Sequence, residues 1–281
     1  MARRRALVVV ALAVVLALVV ALVVIVRTLS TPDTPVACQA SVGGVTVSLT
    51  PEQMGNAGTI AGIAVRRGLP ARAATIAIAT AMQESKLVNV AYGDRDSLGL
   101  FQQRPSQGWG TTAQVRDPVH ATNAFYDALV KVRDYRSRPI TEVAQRVQRS
   151  GFPEAYAQHE AESRVLASAL TGNSPAALTC VLDPGGAGSV TRLRTALADE
   201  QPSAASTPLT AGLRLGAAQP WALAQWAVAR SAQLGVARVY VDGRVWSRAQ
   251  RDRGWTAAAG SGVPDRGGRE VVVLFTDTTP A

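Results

Sequence analysis

The chain has 281 residues, 47% hydrophobic and 17% charged, ample for a compact core and for more than one domain. Its net charge of +9 comes without a clustered Lys/Arg stripe or recognition motif, which argues against nucleic acid as a partner. Two histidines and two cysteines leave nothing from which to build a metal site or a transport path, and no cofactor signature is present.

The first predicted element is an apolar run. From Ala6 to Val26 the sequence is unbroken Ala, Val, Leu and Ile, long enough to cross roughly 30 Å of hydrocarbon as a helix. Arg3, Arg4 and Arg5 precede it and only Arg27 follows closely, so the positive-inside rule leaves the N-terminus in the cytoplasm and the bulk of the chain extracellular. Residues 1–27 thus read as a cytoplasmic tip and a transmembrane helix, a signal-anchor that makes the protein single-pass in the cell membrane. A cleaved signal peptide is the rival, but its apolar region is usually about 7–15 residues and ends at a small-x-small site. "RTLSTPDTP" offers no such site, and both readings export the protein. The four arginines beside the run account for four of the nine charges, leaving the exterior near +5. That suits an anionic cell wall or phospholipid surface.

Residues 28–37 form a spacer. Cys38 and Cys180 follow, and in an oxidising compartment a pair of cysteines reads as one disulfide bond, with two buried thiols as the alternative. Closing a loop of about 140 residues is worth roughly 5 kcal/mol in the chain-entropy picture.

Between the cysteines, residues 38–182 read as a helical domain. Thr50-Pro51-Glu52-Gln53 is a capping box with proline at the first helical position, and Gly68 and Pro70 stop that helix. A second helix, about Ala71 to Lys86, is the most apolar of the set and carries Glu84 at its end. Asp117-Pro118 starts a third, with Val119, Ala124, Phe125, Ala128 and Leu129 on its apolar face. Thr141–Arg149 and Pro153–Leu170 give two more, separated by Gly151. Between Leu87 and Arg116 the pattern breaks into "NVAYGDRDSLGLFQQRPSQGWGT", a long loop with Tyr92, Phe101 and Trp109. A loop of that length and aromatic content is more often a binding loop than a connector.

From 183 to 219 the composition shifts to Gly, Ala, Ser, Thr and Pro, which reads as a linker. Residues 220–281 read as a small α+β module holding four of the five tryptophans. It has one helix ("PWALAQWAVARSAQLG"), a hairpin around Asp242-Gly243 and a further strand, "REVVVLF".

Glu84 is the chemical question. Burying a carboxylate against apolar side chains disfavours its charged form, and an acid so tuned can protonate the leaving oxygen of a glycosidic bond. Gln83, Ser85 and the Asn89–Gln103 loop, including Ser97, Gln102 and Gln103, would orient the acid and bind sugar hydroxyls. Tyr92, Phe101 and Trp109 would stack on pyranose faces. The alternative is an exposed glutamate paired with Lys86 or Arg95.

The stretch "AMQESKLVNVAYGDRDSLGLFQQRPSQGWGT" resembles the core of the soluble lytic transglycosylase and goose-type lysozyme superfamily. The resemblance rests on Glu84-Ser85 at a helix end and on Gly99-Leu100-Phe101-Gln102 in the loop that follows, and it covers about residues 45–172. It implies a mainly α lysozyme-like domain, here preceded by a transmembrane helix and followed by a small α+β module. It implies a lytic transglycosylase or muramidase acting on peptidoglycan glycan strands, with Glu84 as catalytic acid. In one branch Glu84 then acts as base while the muramic C6 hydroxyl closes an anhydro ring. In the other, water attacks with help from a second carboxylate, for which Asp94 and Asp96 are the nearby candidates; as residues of "YGDRDS" both also fit a turn.

Two features depart from the family pattern. "EAYAQHEAES" keeps Tyr156 as a site candidate but lacks the Asn and Gly that usually follow it, and the anchor confines the chain to wall near the membrane. The C-terminal module faintly resembles a D-alanyl-D-alanine carboxypeptidase domain of the hedgehog-like type, but "GGREVVVLF" has none of that domain's histidines. Trp246 and Trp255 are candidates for binding, though large residues in a small module are more often core. His120 and His159 fall on predicted helices. The competing function is a non-catalytic wall-binding or scaffold protein with a degenerate lysozyme-like fold, and a third is a membrane-anchored partner of other machinery.

Overall fold

The computed structural model describes residues 19–20, 35–150, 154–185, 187–202, 205–251, 253–259 and 268–275. Apart from residues 19–20, the expected transmembrane helix lies outside them. Among the described residues no helix is long and apolar enough to cross a membrane.

The fold begins with a hairpin that no expectation from the sequence covers. β1 (Ala37–Val42) and β2 (Val45–Leu49) pair antiparallel around Gly43 and Gly44, both at positive φ (60° and 79°). Such a turn matches the twist of the strands, and glycine reaches it without steric cost. β3 (Leu178–Val181) joins the other edge of β1, giving the order β2-β1-β3. Cys38 and Cys180 face each other in that register and are joined by a disulfide bond, as expected.

Five of the helices between these strands correspond to predicted ones, and a short sixth, Thr112–Val115, falls in the stretch read as a loop. They are α1 (Pro51–Arg66), α2 (Ala71–Ser85), α3 (Thr112–Val115), α4 (Pro118–Leu129), α5 (Ile140–Gln148) and α6 (Glu160–Leu170). Thr50 and Gln53 exchange the two hydrogen bonds of a capping box at the start of α1, and Asp117 accepts from the Val119 amide at the start of α4. α2 runs through the middle, buried from Ala73 to Ala81 and packed against α1, α4, α5 and α6. Its two threonines donate to carbonyls four residues back, Thr75 to Ala71 and Thr80 to Ile76, so their burial strands no hydroxyl. α6 starts at Glu160 instead of Pro153. The preceding residues form a turn and a single 3-10 turn that direct Tyr156 into the core.

The span 183–219, expected to be a linker, contains α7 (Val190–Glu200), β4 (Ser206–Leu209) and β5 (Gly212–Gly216). After it come α8 (Pro220–Ala229), α9 (Ser231–Leu234), β6 (Arg238–Val241), β7 (Arg244–Ser247), β8 (Trp255–Ala257) and β9 (Glu270–Leu274). The strands form one antiparallel sheet in the order β4-β5-β9-β6-β7-β8, with the predicted Asp242-Gly243 turn joining β6 and β7. The fold class is therefore mixed α+β with two sheets, a correction to the mainly α expectation.

The reason for the correction lies in α1. Its Gly55, Gly58 and Gly62 share one face, and α8 and the end of α7 lie directly on it. A Cβ on Gly62 would sit 2.7 Å from the Glu200 carbonyl oxygen and 3.0 Å from Trp226, and one on Gly58 would sit 3.1 Å from Ala229. α8 is buried on every side from Trp221 to Ala229, as befits a helix held between other elements. Gln225 extends the junction by donating to the Ala169 and Ser174 carbonyls while accepting from the Leu178 amide. Trp246 is core, 1% exposed, and Trp255 packs edge-on against Trp221 while donating to the Leu178 carbonyl. Both are structural.

Candidate active site

α2 ends in an unusual turn. Lys86 and Leu87 both adopt left-handed backbone conformations (φ 55° and 60°), a strained pair for residues with side chains. Two side chains of α1 hold it there. The Gln53 amide donates to the Lys86 carbonyl at 2.8 Å, and Asn56 donates to the Leu87 carbonyl at 2.8 Å. Gln53 thus caps α1 with its oxygen and clasps the end of α2 with its nitrogen.

Glu84 lies one residue before that end. The Tyr156 hydroxyl donates to Glu84 Oε1 at 2.7 Å, and the Gln148 side chain is its second hydrogen-bond partner. Burial pushes the Glu84 carboxyl above its ordinary pKa, and the bonds from Tyr156 and Gln148 pull part of that shift back. Tyr156 is itself buried, and its hydroxyl is held well above the usual phenol range by desolvation and by the Glu84 charge. Glu84 is therefore a partly buried acid held by neutral donors, and no ion pair with Lys86 or Arg95 forms.

The loop after α2 is built around the Gly99–Gln102 turn. Ser85 Oγ sits 3.0 Å from the Ala81 carbonyl and 2.8 Å from the Leu100 carbonyl, tying the turn to the helix end beside Glu84. Gly99 has φ 77° and donates to the Val90 carbonyl, and a Cβ there would collide with the Val115 carbonyl. Phe101 is buried and stacks on Phe125 at 4.7 Å, while its carbonyl accepts from Gln148 at 2.6 Å. Gln148 therefore touches both the acid and the turn. Gln145 and Ser150 bond reciprocally at the end of α5, and Ser150 also bonds the Tyr156 hydroxyl.

The remaining candidates divide. Ser97 and Gln103 are buried; Gln103 donates to the Ala121 carbonyl, fixing the loop to α4, so both lie in the scaffold and away from any sugar. Gln102 bonds the Tyr92 and Gly99 carbonyls within the loop. Tyr92 is 77% exposed on the outside of that loop. Asp96 accepts from Arg104, the Ser106 amide and the Ser106 hydroxyl, which hold its carboxyl far below the usual range; the turn role describes it. Asp94 is exposed and 3.9 Å from Arg95. His159 approaches Gln83 Oε1 at 3.2 Å, and His120 approaches the Trp109 carbonyl at 3.4 Å. Among the described residues no group of His, Cys, Asp and Glu could hold a metal ion.

Trp109 and Gln148 line a groove of about 800 Å³ together with Gln107, Lys131, Arg146 and Arg149. Gln148 is the site residue that sequence alone does not mark. It lies at the end of an ordinary amphipathic helix, and only the packing of α5 on α2 brings it to Glu84.

No protein-family model matches the chain, and no curated protein matches it significantly.

Proposed function

We propose that this is an exported enzyme, kept at the outer face of the cell membrane by its apolar N-terminal segment, that cleaves peptidoglycan glycan strands with Glu84 as general acid and base. The observation that carries this reading is the Glu84 carboxyl itself, partly buried, raised in pKa and gripped by Tyr156 and Gln148. The likeness of Glu84-Ser85 and the Gly99–Gln102 turn to the lysozyme-like superfamily supports it.

In this mechanism protonated Glu84 gives its proton to the glycosidic oxygen as the C1–O bond of the muramyl residue breaks. The resulting Glu84 carboxylate, stabilised by the Tyr156 and Gln148 donors, then takes a proton from the attacking hydroxyl. Asp96 is committed to Arg104 and Ser106, and Asp94 points into solvent. Since neither of these two candidates is placed to support an attacking water, attack by the muramic C6 hydroxyl fits better than hydrolysis. The products would be an anhydromuramyl end and a free C4 hydroxyl on the neighbouring sugar, with no water consumed.

The test is digestion of purified peptidoglycan by the full-length chain and by its Glu84→Gln variant, with products weighed by mass spectrometry. Fragments lighter than hydrolysed ones by one water, absent with the variant, are the expected result. Binding to the wall without products from either protein would replace the enzyme with the scaffold reading.

A further inference from the structure

The groove that Gln148 lines carries more positive charge than the fold requires. Lys131 follows the end of α4, Arg146 lies in the last turn of α5, and Arg149 caps α5 in a left-handed conformation (φ 53°). All three side chains are exposed, and none has an ion-pair partner among the described residues. The one carboxylate in the lining, Asp127, is taken by Arg67 at 2.7 Å. Cations near helix C-termini offset the helix dipole, and this accounts for part of the cluster. Two helix ends contribute roughly half a negative charge each, against three full positive charges, so about two charges stay uncompensated. Arg149 also occupies a backbone conformation that glycine would fill with less strain.

We infer that this groove is an anion subsite for the carboxylates of the peptide carried by the glycan strand. The inference rests on the proposed function, and Gln148 makes the connection. Its side chain holds Glu84, and the same residue lines the groove, which places the groove within one residue of the acid. On a muramyl residue the lactyl group is carried on C3, two ring carbons from that bond, and the peptide it bears ends in free carboxylates. Trp109 and Gln107, also in the lining, supply a flat apolar face and an amide for the sugar and peptide backbone.

The test uses the full-length chain carrying Glu84→Gln, so that binding is read without turnover. The probes are soluble glycan fragments bearing peptide and the same fragments stripped of it by an amidase. Peptide-bearing fragments should bind about tenfold more tightly at low salt, and the preference should fade near 0.5 M salt, where the screening length falls to a few ångströms. Combining Lys131→Gln, Arg146→Gln and Arg149→Gly should abolish the preference. Lys131→Gln alone, at an exposed side chain, should remove part of it with an unchanged melting temperature. Equal binding of the two fragments, or a preference that survives the triple variant, overturns the subsite. So does tighter binding of stripped strands that carry a phosphodiester-linked polymer. If digestion by the unmodified chain fails while the charge-dependent preference holds, the general-acid reading falls and the subsite stands; the converse result removes the subsite alone.

Discussion

The Tyr156 hydroxyl donates to Glu84 Oε1 across a sequence gap of 72 residues, at 2.7 Å. A donor of this kind favours the carboxylate, so it opposes the burial that raises the acid. Tyr156→Phe removes the donor and keeps the ring. The Glu84 pKa should then rise further, and activity that requires the protonated acid should persist to higher pH. The alkaline limb of kcat/KM therefore moves up, while kcat at the optimum falls about tenfold because the acid is less firmly aimed. A drop in rate with an unmoved limb would reduce Tyr156 to a packing residue.

The same shift has a stability consequence. A carboxyl whose folded pKa exceeds its ordinary value of 4.5 keeps its proton in the folded chain over a range where the unfolded chain has lost it. Its contribution is complete below about pH 4.5 and declines as pH rises through the folded value. Glu84→Gln removes that dependence. Thermal melts should show the variant gaining on the parent from pH 4 to pH 7. Glu200 is also raised by burial but is present in both proteins and cancels in the difference. A stability difference between the two that does not change from pH 4 to pH 7 would falsify the claim that Glu84 is held against its charge.

How far the sequence discloses this arrangement depends on the range of each interaction. The Thr50–Gln53 capping box, the Asp117 cap and the Asp242-Gly243 hairpin are local, settled within a few residues, and are legible. The β1–β2 hairpin was equally local, since Gly43-Gly44 between two alternating runs is a hairpin signal, but the helical signals around it drew the domain as all-α. α7 was hidden by the Gly, Ala and Ser around it, although Leu193 and Ala196 mark its buried side. Gln148 and the α1 glycine face answer to neighbours tens to well over a hundred residues away. No local pattern announces them.

Gly99 offers a test of the loop. Its positive φ and the Val115 carbonyl beside it leave no space for a methyl group. Gly99→Ala should cost about 2 kcal/mol or more in stability, from backbone strain and collision together. The displaced turn would also loosen the Ser85–Leu100 link and the Gln148–Phe101 bond, both of which adjoin Glu84. Activity at a temperature where the variant is fully folded should therefore fall well below that of the parent. Full activity under those conditions would show that the turn does not position the acid.

The glycine face of α1 separates a tethered C-terminal module from a shared core. Glycine inside a helix costs about 1 kcal/mol relative to alanine, so each of these positions needs a compensating contact. At Gly62 the neighbours are the Glu200 backbone, the Gln201 amide and the Trp226 ring. Glu200, 2% exposed, accepts there from Thr59, Trp226 and Arg230, and its carboxylate has little freedom to move. At Gly55 the neighbour is only the end of Gln233, which can swing away at the loss of one bond to the Pro51 carbonyl. Gly62→Ala should thus destabilise by about 1–3 kcal/mol through overpacking. Gly55→Ala should stay within about 1 kcal/mol of the parent, since the gain in helix propensity offsets the lost bond. Tryptophan fluorescence, dominated by the C-terminal part, and far-UV circular dichroism should report one coincident unfolding transition in each variant. Equal costs at the two glycines, or fluorescence that melts separately, would mean that the C-terminal sheet is an independent domain resting on α1.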